Sequence, residues 1–148
     1  MAIINHGGRE LGALFAEGGV DRTTGAIKVV RLCGAFDIGV VVNMNTTRTG
    51  VRGALMWGIG FALKEKLKLN GHAMKTTRLK KYDIARYSDV PDIQIRFIRS
   101  YPDDGPRGCG EMPVPLVAPA IGNAIRTAVG VRLRRTPFDP KDLRKALV

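Results

Sequence analysis

Glu111 is the single acidic side chain in GPRGCGEMPVPLVAPAIGNAI, residues 105–125. It follows Gly108, Cys109 and Gly110 and precedes Pro113 and Pro115. Glycines on both sides of Cys109 let the backbone adopt unusual φ values and come close to a ligand. The prolines stiffen the way out of the loop. Val117, Ile121, Ala124, Ile125 and Ala128 then recur at helical spacing, which predicts a helix starting near Leu116 with its positive end toward the loop. Desolvation raises a carboxylate's pKa and a helix N-terminus lowers it. A desolvated carboxylate in such a loop is suited to general base catalysis. The same residue types also allow a structural role, with Glu111 capping the helix or pairing with Arg107. Composition alone leaves the two readings level.

The other reactive side chains point less clearly to chemistry. Cys109 is a candidate nucleophile beside Arg107, but His6 and His72 are distant in sequence, and nothing ties either to it. Both histidines have glycine neighbours and read as exposed loop residues. Asp37 and Asn43, in DIGVVVN, read as turn and cap residues. Trp57 reads as core. Cys33 and Cys109 match no zinc or iron–sulfur spacing and require no disulfide, so no metal held by side chains is expected.

The elements that must position these groups form an α+β pattern. Apolar runs at 11–20 and 26–36, joined by DRTTG, predict a β-hairpin. Leu55, Ile59, Leu63 and Leu67 recur every fourth position and predict a helix over 51–69, ended by the Asn-Gly pair at 70–71. Glycines at 53, 58 and 60 weaken that helix, so it should lie against another backbone or a ligand. IQIRFIR, residues 93–99, alternates like a strand, and VRLRR at 131–135 reads as a second short one. Gly130 is a natural stop for the helix after the loop. Asp139 and Pro140 open a final helix, DPKDLRKAL. Hairpin and short strands should pack with two main helices as a single domain over residues 1–148.

Composition narrows the function class. The chain has 148 residues, 45% hydrophobic and 25% charged, as in globular proteins. No apolar run is long enough for a membrane span, and the N-terminus lacks the blocks of a secretory signal. No membrane partner is expected, and a reducing, cytoplasmic compartment is the default. The net charge of +11 admits nucleic acid or an acidic partner. Aromatic residues make up only 6% and are not interleaved with the basic clusters RLKKY and RLRR, which argues against a nucleic-acid platform.

The order of motifs carries a resemblance. GALFAEGGVDRTTGAIKVVRL, DIGVVVN, GALMWGIGFAL, YDIARYSDVPDIQIRFI and then GCGE with APAIGNAI run from about Leu11 to Leu147. This series resembles the C-terminal part of the molybdopterin-binding subunit of the xanthine dehydrogenase and aldehyde oxidase family. GEMPVPLVAPAIGNAI is most similar to the isoquinoline 1-oxidoreductase branch. The resemblance implies that Glu111 is the base for hydroxylation of an aldehyde or N-heterocycle, with water as oxygen source. It also implies that Gly108, Cys109 and Gly110 lie against the cofactor, which supplies the redox chemistry. Gly50 stands where the family has a cofactor-contacting glutamine, and Met44 where it has a proline. Family subunits run to several hundred residues, so this chain is expected to be a partial cofactor-binding domain. Alone it should bind no molybdopterin and be inactive, and exposed apolar surface should favour self-association. Its partners would be the upstream molybdopterin-binding segment and an iron–sulfur subunit. The competing reading is a degenerate, non-catalytic assembly or binding module of the same fold.

Overall fold

The computed structural model describes residues 1–98 and 105–147. Four strands form the main sheet: β1 (Ala2–His6), β2 (Glu10–Val20), β3 (Ile27–Asp37) and β6 (Asp92–Phe97). They lie in the order β1-β2-β3-β6, antiparallel except that β3 and β6 are parallel. Helices α1 (Met44–Leu63), α2 (Val114–Val129) and α3 (Pro140–Ala146) complete the frame. The mixed α+β content is as expected, and the predicted hairpin is β2–β3.

One face of the sheet is buried because side chains alternate along each strand. Leu14, Leu32, Phe36 and Ile93 point to that face. They share a core with Leu116, Val117 and Ile121 of α2 and with Val51, Leu55 and Ile59 of α1. Helix α1 packs on α2 through Gly58, where an added Cβ would lie 2.5 Å from a Val117 methyl. The expectation of a close neighbour for the glycine-bearing helix holds at this position.

Several boundaries differ from the sequence reading. Strand β1 had no predicted counterpart; its pairing with β2 makes it a strand. Helix α1 starts at Met44 rather than Val51, because the Asn43 side chain accepts from the Thr46 amide at 2.9 Å and nucleates the polar turn. It ends at Leu63 rather than Leu69, where the amides of Lys64 and Glu65 both donate to the Gly60 carbonyl. The Asn-Gly pair instead turns a small hairpin, β4 (Leu69–Asn70) with β5 (Ala73–Met74). Helix α2 starts two residues before Leu116, and Gly130 stops it at φ 79°. VRLRR forms no strand; Val131 and Leu133 pack against the core while Arg132 donates to Asn123. Trp57 is not core: it is 47% exposed and lies beside Phe61, with ring centroids 5.5 Å apart. Helix α3 has the expected Asp139 cap, which accepts from the Lys141 amide. Residue 99 of the predicted strand lies outside the described residues.

The segment between α1 and β6 is tied back to the end of α1 by two polar contacts. Lys64 pairs with Asp89 at 2.6 Å, and Tyr82 donates to Glu65 at 2.8 Å. The Lys64 hydrogen bond, helped by the Arg86 amide, lowers the Asp89 carboxyl below its ordinary value. A lowered carboxylate stabilises the fold at neutral pH, and that contribution fades as pH falls through the folded value.

Two outcomes follow. Gly58→Ala should lower unfolding stability by about 1–3 kcal/mol in urea titration, because overpacking against Val117 outweighs the gain in helix propensity. Acidification below about pH 4 should release the 78–90 segment before global unfolding, seen as faster amide exchange there. Lys64→Met should weaken that pH dependence, leaving only the part due to the Arg86 amide.

Candidate functional site

The loop that carries Glu111 sits at the end of the sheet where the parallel strands β3 and β6 terminate. In sheets with parallel strands, the carboxyl ends are where chains diverge and ligands enter. The β3–α1 connection, the β1–β2 turn and residues 105–113 gather there.

Both ends of the loop are fixed. At the near end Pro106 bridges to Gly39, the Arg107 amide donates to the Ile38 carbonyl at 2.9 Å, and Val40 donates to Gly105. Gly39 has φ 68°, a left-handed conformation that admits this close strand-like approach. The Arg107 guanidinium meets Asp37 at 3.6 Å and donates to the Arg9 carbonyl. At the far end Met112 and Pro113 are buried. The Met112 sulfur lies only 2.9 Å from where a Cβ on Gly12 would stand. The loop is therefore clamped between β2 and the β3–α1 connection.

Between those clamps Glu111 is exposed. Its backbone carbonyl accepts from the Val114 amide at 3.0 Å, one turn ahead of α2. Its carboxylate has no hydrogen-bond or ion-pair partner among the described residues. Neither structural role open to it on composition is realised: the N-cap of α2 is Pro113, without a side-chain bond, and Arg107 turns to Asp37. Glu111 is exposed, and it is not among the residues lining the open groove over β2, β3 and β6.

The glycines of the loop, of its Gly39 clamp and of α1 divide into two kinds. Gly39 and Gly58 are required by backbone conformation or packing. Gly50 and Gly110 have nothing within 4 Å of an added Cβ, and Gly108 has only a Glu10 oxygen at 3.9 Å. None of these three has a positive φ. The packing of the described residues gives no reason for their missing side chains. Gly50 lies in the second turn of α1, because that helix starts early.

Other predicted groups fall differently. Cys109 is half-buried against the core, and its sulfur remains a free thiol, as does that of Cys33. His72 is exposed at the β4–β5 turn, far along the chain from the loop. His6 is exposed as expected, at the end of β1, with its Nδ1 3.5 Å from Glu10. Sequence reasoning missed Glu10, whose side chain faces both His6 and Gly108. It also missed the Asp37–Arg107 pair. The signal for neither was local, since each depends on contacts between distant segments. No group of three or more His, Cys, Asp or Glu suited to holding a metal occurs among the described residues. No described helix is long and apolar enough to cross a membrane.

Residues 6–91 match the model of the molybdopterin cofactor-binding domain. A membrane-bound aldehyde dehydrogenase (pyrroloquinoline-quinone) of Gluconacetobacter polyoxogenes is 37% identical over 86% of this chain and 16% of its own length. The beta subunit of isoquinoline 1-oxidoreductase from Brevundimonas diminuta is 27% identical over 86% of this chain and 16% of its own. The aldehyde oxidoreductase of Desulfovibrio gigas superposes with a TM-score of 0.83 at 32% identity, over 93% of this chain and 15% of that one. The chain belongs to the xanthine dehydrogenase and aldehyde oxidoreductase family of molybdopterin-binding subunits. It spans about one-sixth of the length of the relatives it matches.

Arg107→Ala should loosen the loop without unfolding the chain. Amide exchange at 105–111 should accelerate about tenfold or more, against a global loss of about 1–2 kcal/mol for the severed charge-assisted contacts. Equal acceleration across the core strands would show that Arg107 is instead a general stabiliser.

Proposed function

We propose that this chain forms the C-terminal wall of a molybdenum hydroxylase site, with Glu111 as the general base. The observation that carries the reading is the set of glycines at 50, 108 and 110, whose missing side chains nothing in the described packing requires. A ligand approaching the backbone there would account for them, and they stand with a carboxylate that has no partner among the described residues. That arrangement fits a large, flat cofactor such as molybdopterin, which brings its own metal and needs no cluster of side-chain ligands. When bound, the cofactor supplies the redox chemistry for oxidising an aldehyde or N-heterocycle.

The chain's own work is positional. The backbones of Gly108, Cys109 and Gly110 would line the cofactor, and Gly50 would leave room for it along α1. Glu111 would accept the proton from the water-derived oxygen as that oxygen attacks the substrate carbon. The clamp through Arg107 and Met112 would hold the carboxylate in place during that transfer. Water exclusion must come from polypeptide on the opposite side, because Glu111 is exposed here. We therefore assign the remaining wall to an upstream molybdopterin-binding segment, and onward electron transfer to an iron–sulfur subunit, in the cytoplasm. A second reading, a non-catalytic module of the same fold, draws on Gly50 and Met44, which replace the family's glutamine and proline.

Co-expression with a polypeptide that supplies the preceding part of such a subunit separates these readings. Molybdenum and pterin should be stoichiometric in the complex and absent from the lone chain. Cofactor on the lone chain would overturn the incompleteness of the site, and an empty complex would favour the non-catalytic module. In a loaded complex, Glu111→Gln should retain cofactor while turnover drops by about 10²–10⁴-fold. Unchanged turnover would reject Glu111 as the base.

A further inference from the structure

The outer face of the sheet and the free edge of β6 form an open groove of about 610 Å³. Its floor includes Ala13, Phe15 and Cys33, and Phe15 is 54% exposed. Three arginines line it: Arg48 and Arg52 from α1, and Arg96 from β6 itself. None of the three is in an ion pair among the described residues, whereas Arg31, on the same sheet face, is neutralised by Glu17. Residues two apart on a helix point roughly 200° away from each other. Gly50 therefore faces away from Arg48 and Arg52, and this groove is separate from the proposed cofactor wall.

The edge of β6 is itself unfinished. Its ladder runs to β3 on one side, and no described residue pairs with its other side. An open edge offers a row of amide donors and carbonyl acceptors to an added strand. Such a strand would set alternate side chains beside Ile93 and Ile95 on one face and beside Gln94 and Arg96 on the other. Apolar residues suit the first row and carboxylates the second. At the opposite sheet edge, Asn123 of α2 donates to the Met1 carbonyl just before β1.

We propose that β6 is a docking edge for an extended polypeptide segment of alternating apolar and acidic residues. The segment adds to the sheet by main-chain pairing and is held in register by Arg48, Arg52 and Arg96. Its source is the upstream part of the subunit, which rests on the reading of this chain as one wall of a larger site. The charge match selects this occupant, since three arginines without an ion-pair partner among the described residues, in a chain of net charge +11, would repel a second copy at the same edge.

The test uses the full chain and a fluorescein-labelled peptide of alternating valine and glutamate, with a valine–lysine peptide as control. Anisotropy should show salt-sensitive binding of the acidic peptide alone, and hydrogen exchange should show new protection at 92–97. The double variant Arg52→Glu, Arg96→Glu should weaken binding by about tenfold or more, while Arg22→Glu in the β2–β3 turn changes it by less than about twofold. Three outcomes overturn the proposal: no binding, equal binding of the lysine peptide, or binding without protection of β6. A dimer that already protects β6 without peptide also overturns it and assigns the edge to a second copy. Because the assay needs no cofactor or turnover, its failure leaves the reading of Glu111 to be judged on cofactor loading and activity.

Discussion

Met112 joins the core of this protein to its site. Its side chain is buried over Gly12 of β2, beside Leu116 and Phe36, and any side chain at position 12 would displace it. That contact fixes where α2 begins and therefore where the preceding residue leaves the core. Glu111 emerges one residue before a fully packed anchor, so its backbone position is set by the sheet although its side chain is exposed. The bridge from Pro106 to Gly39 fixes the loop's other end. With both ends held, the glycines between them can be conformationally permissive without leaving the loop undefined.

The same architecture leaves much apolar surface uncovered. Ile3, Leu11 and Phe15 on the outer sheet face, and Trp57 and Phe61 on α1, are all 40% exposed or more. Singly such residues are ordinary, but a contiguous set on a sheet face marks a surface that meets something else. Together with the glycines at 50, 108 and 110 and the arginines that lack an ion pair among the described residues, they describe a chain whose packing is satisfied on one side. Family membership and the one-sixth span of its relatives' length agree with that picture.

The parts of the fold legible in the sequence were those governed by local chemistry. The β2–β3 hairpin, the α2 stripe with its Gly130 stop and the Asp139 cap of α3 each depend on residues within a few positions. The start of α1 was misplaced because Thr46, Thr47, Arg48 and Thr49 carry no apolar period, although the capping role of Asn43 was readable. Its end was misplaced because Leu67 continues the spacing while the backbone has already turned at Gly60. Trp57 was misread because hydrophobicity identifies what can be buried, not which face finds a partner. At the site, the glycine-flanked glutamate stood out by composition. Its release from Arg107 did not, because Asp37 lies seventy residues away in sequence.

By itself the sequence determined the β2–β3 hairpin, the strand character of β6, the helical character of α1, α2 and α3 and, through its ordered motifs, the family. These follow from periodicity, capping and residue type, which act over short range. The tertiary structure decided which glycines are structural and which face open space. It also decided that Arg107 clamps the loop instead of neutralising Glu111, and that no described residue pairs with the outer edge of β6. Those outcomes depend on contacts between segments far apart in the chain, and no local propensity encodes them.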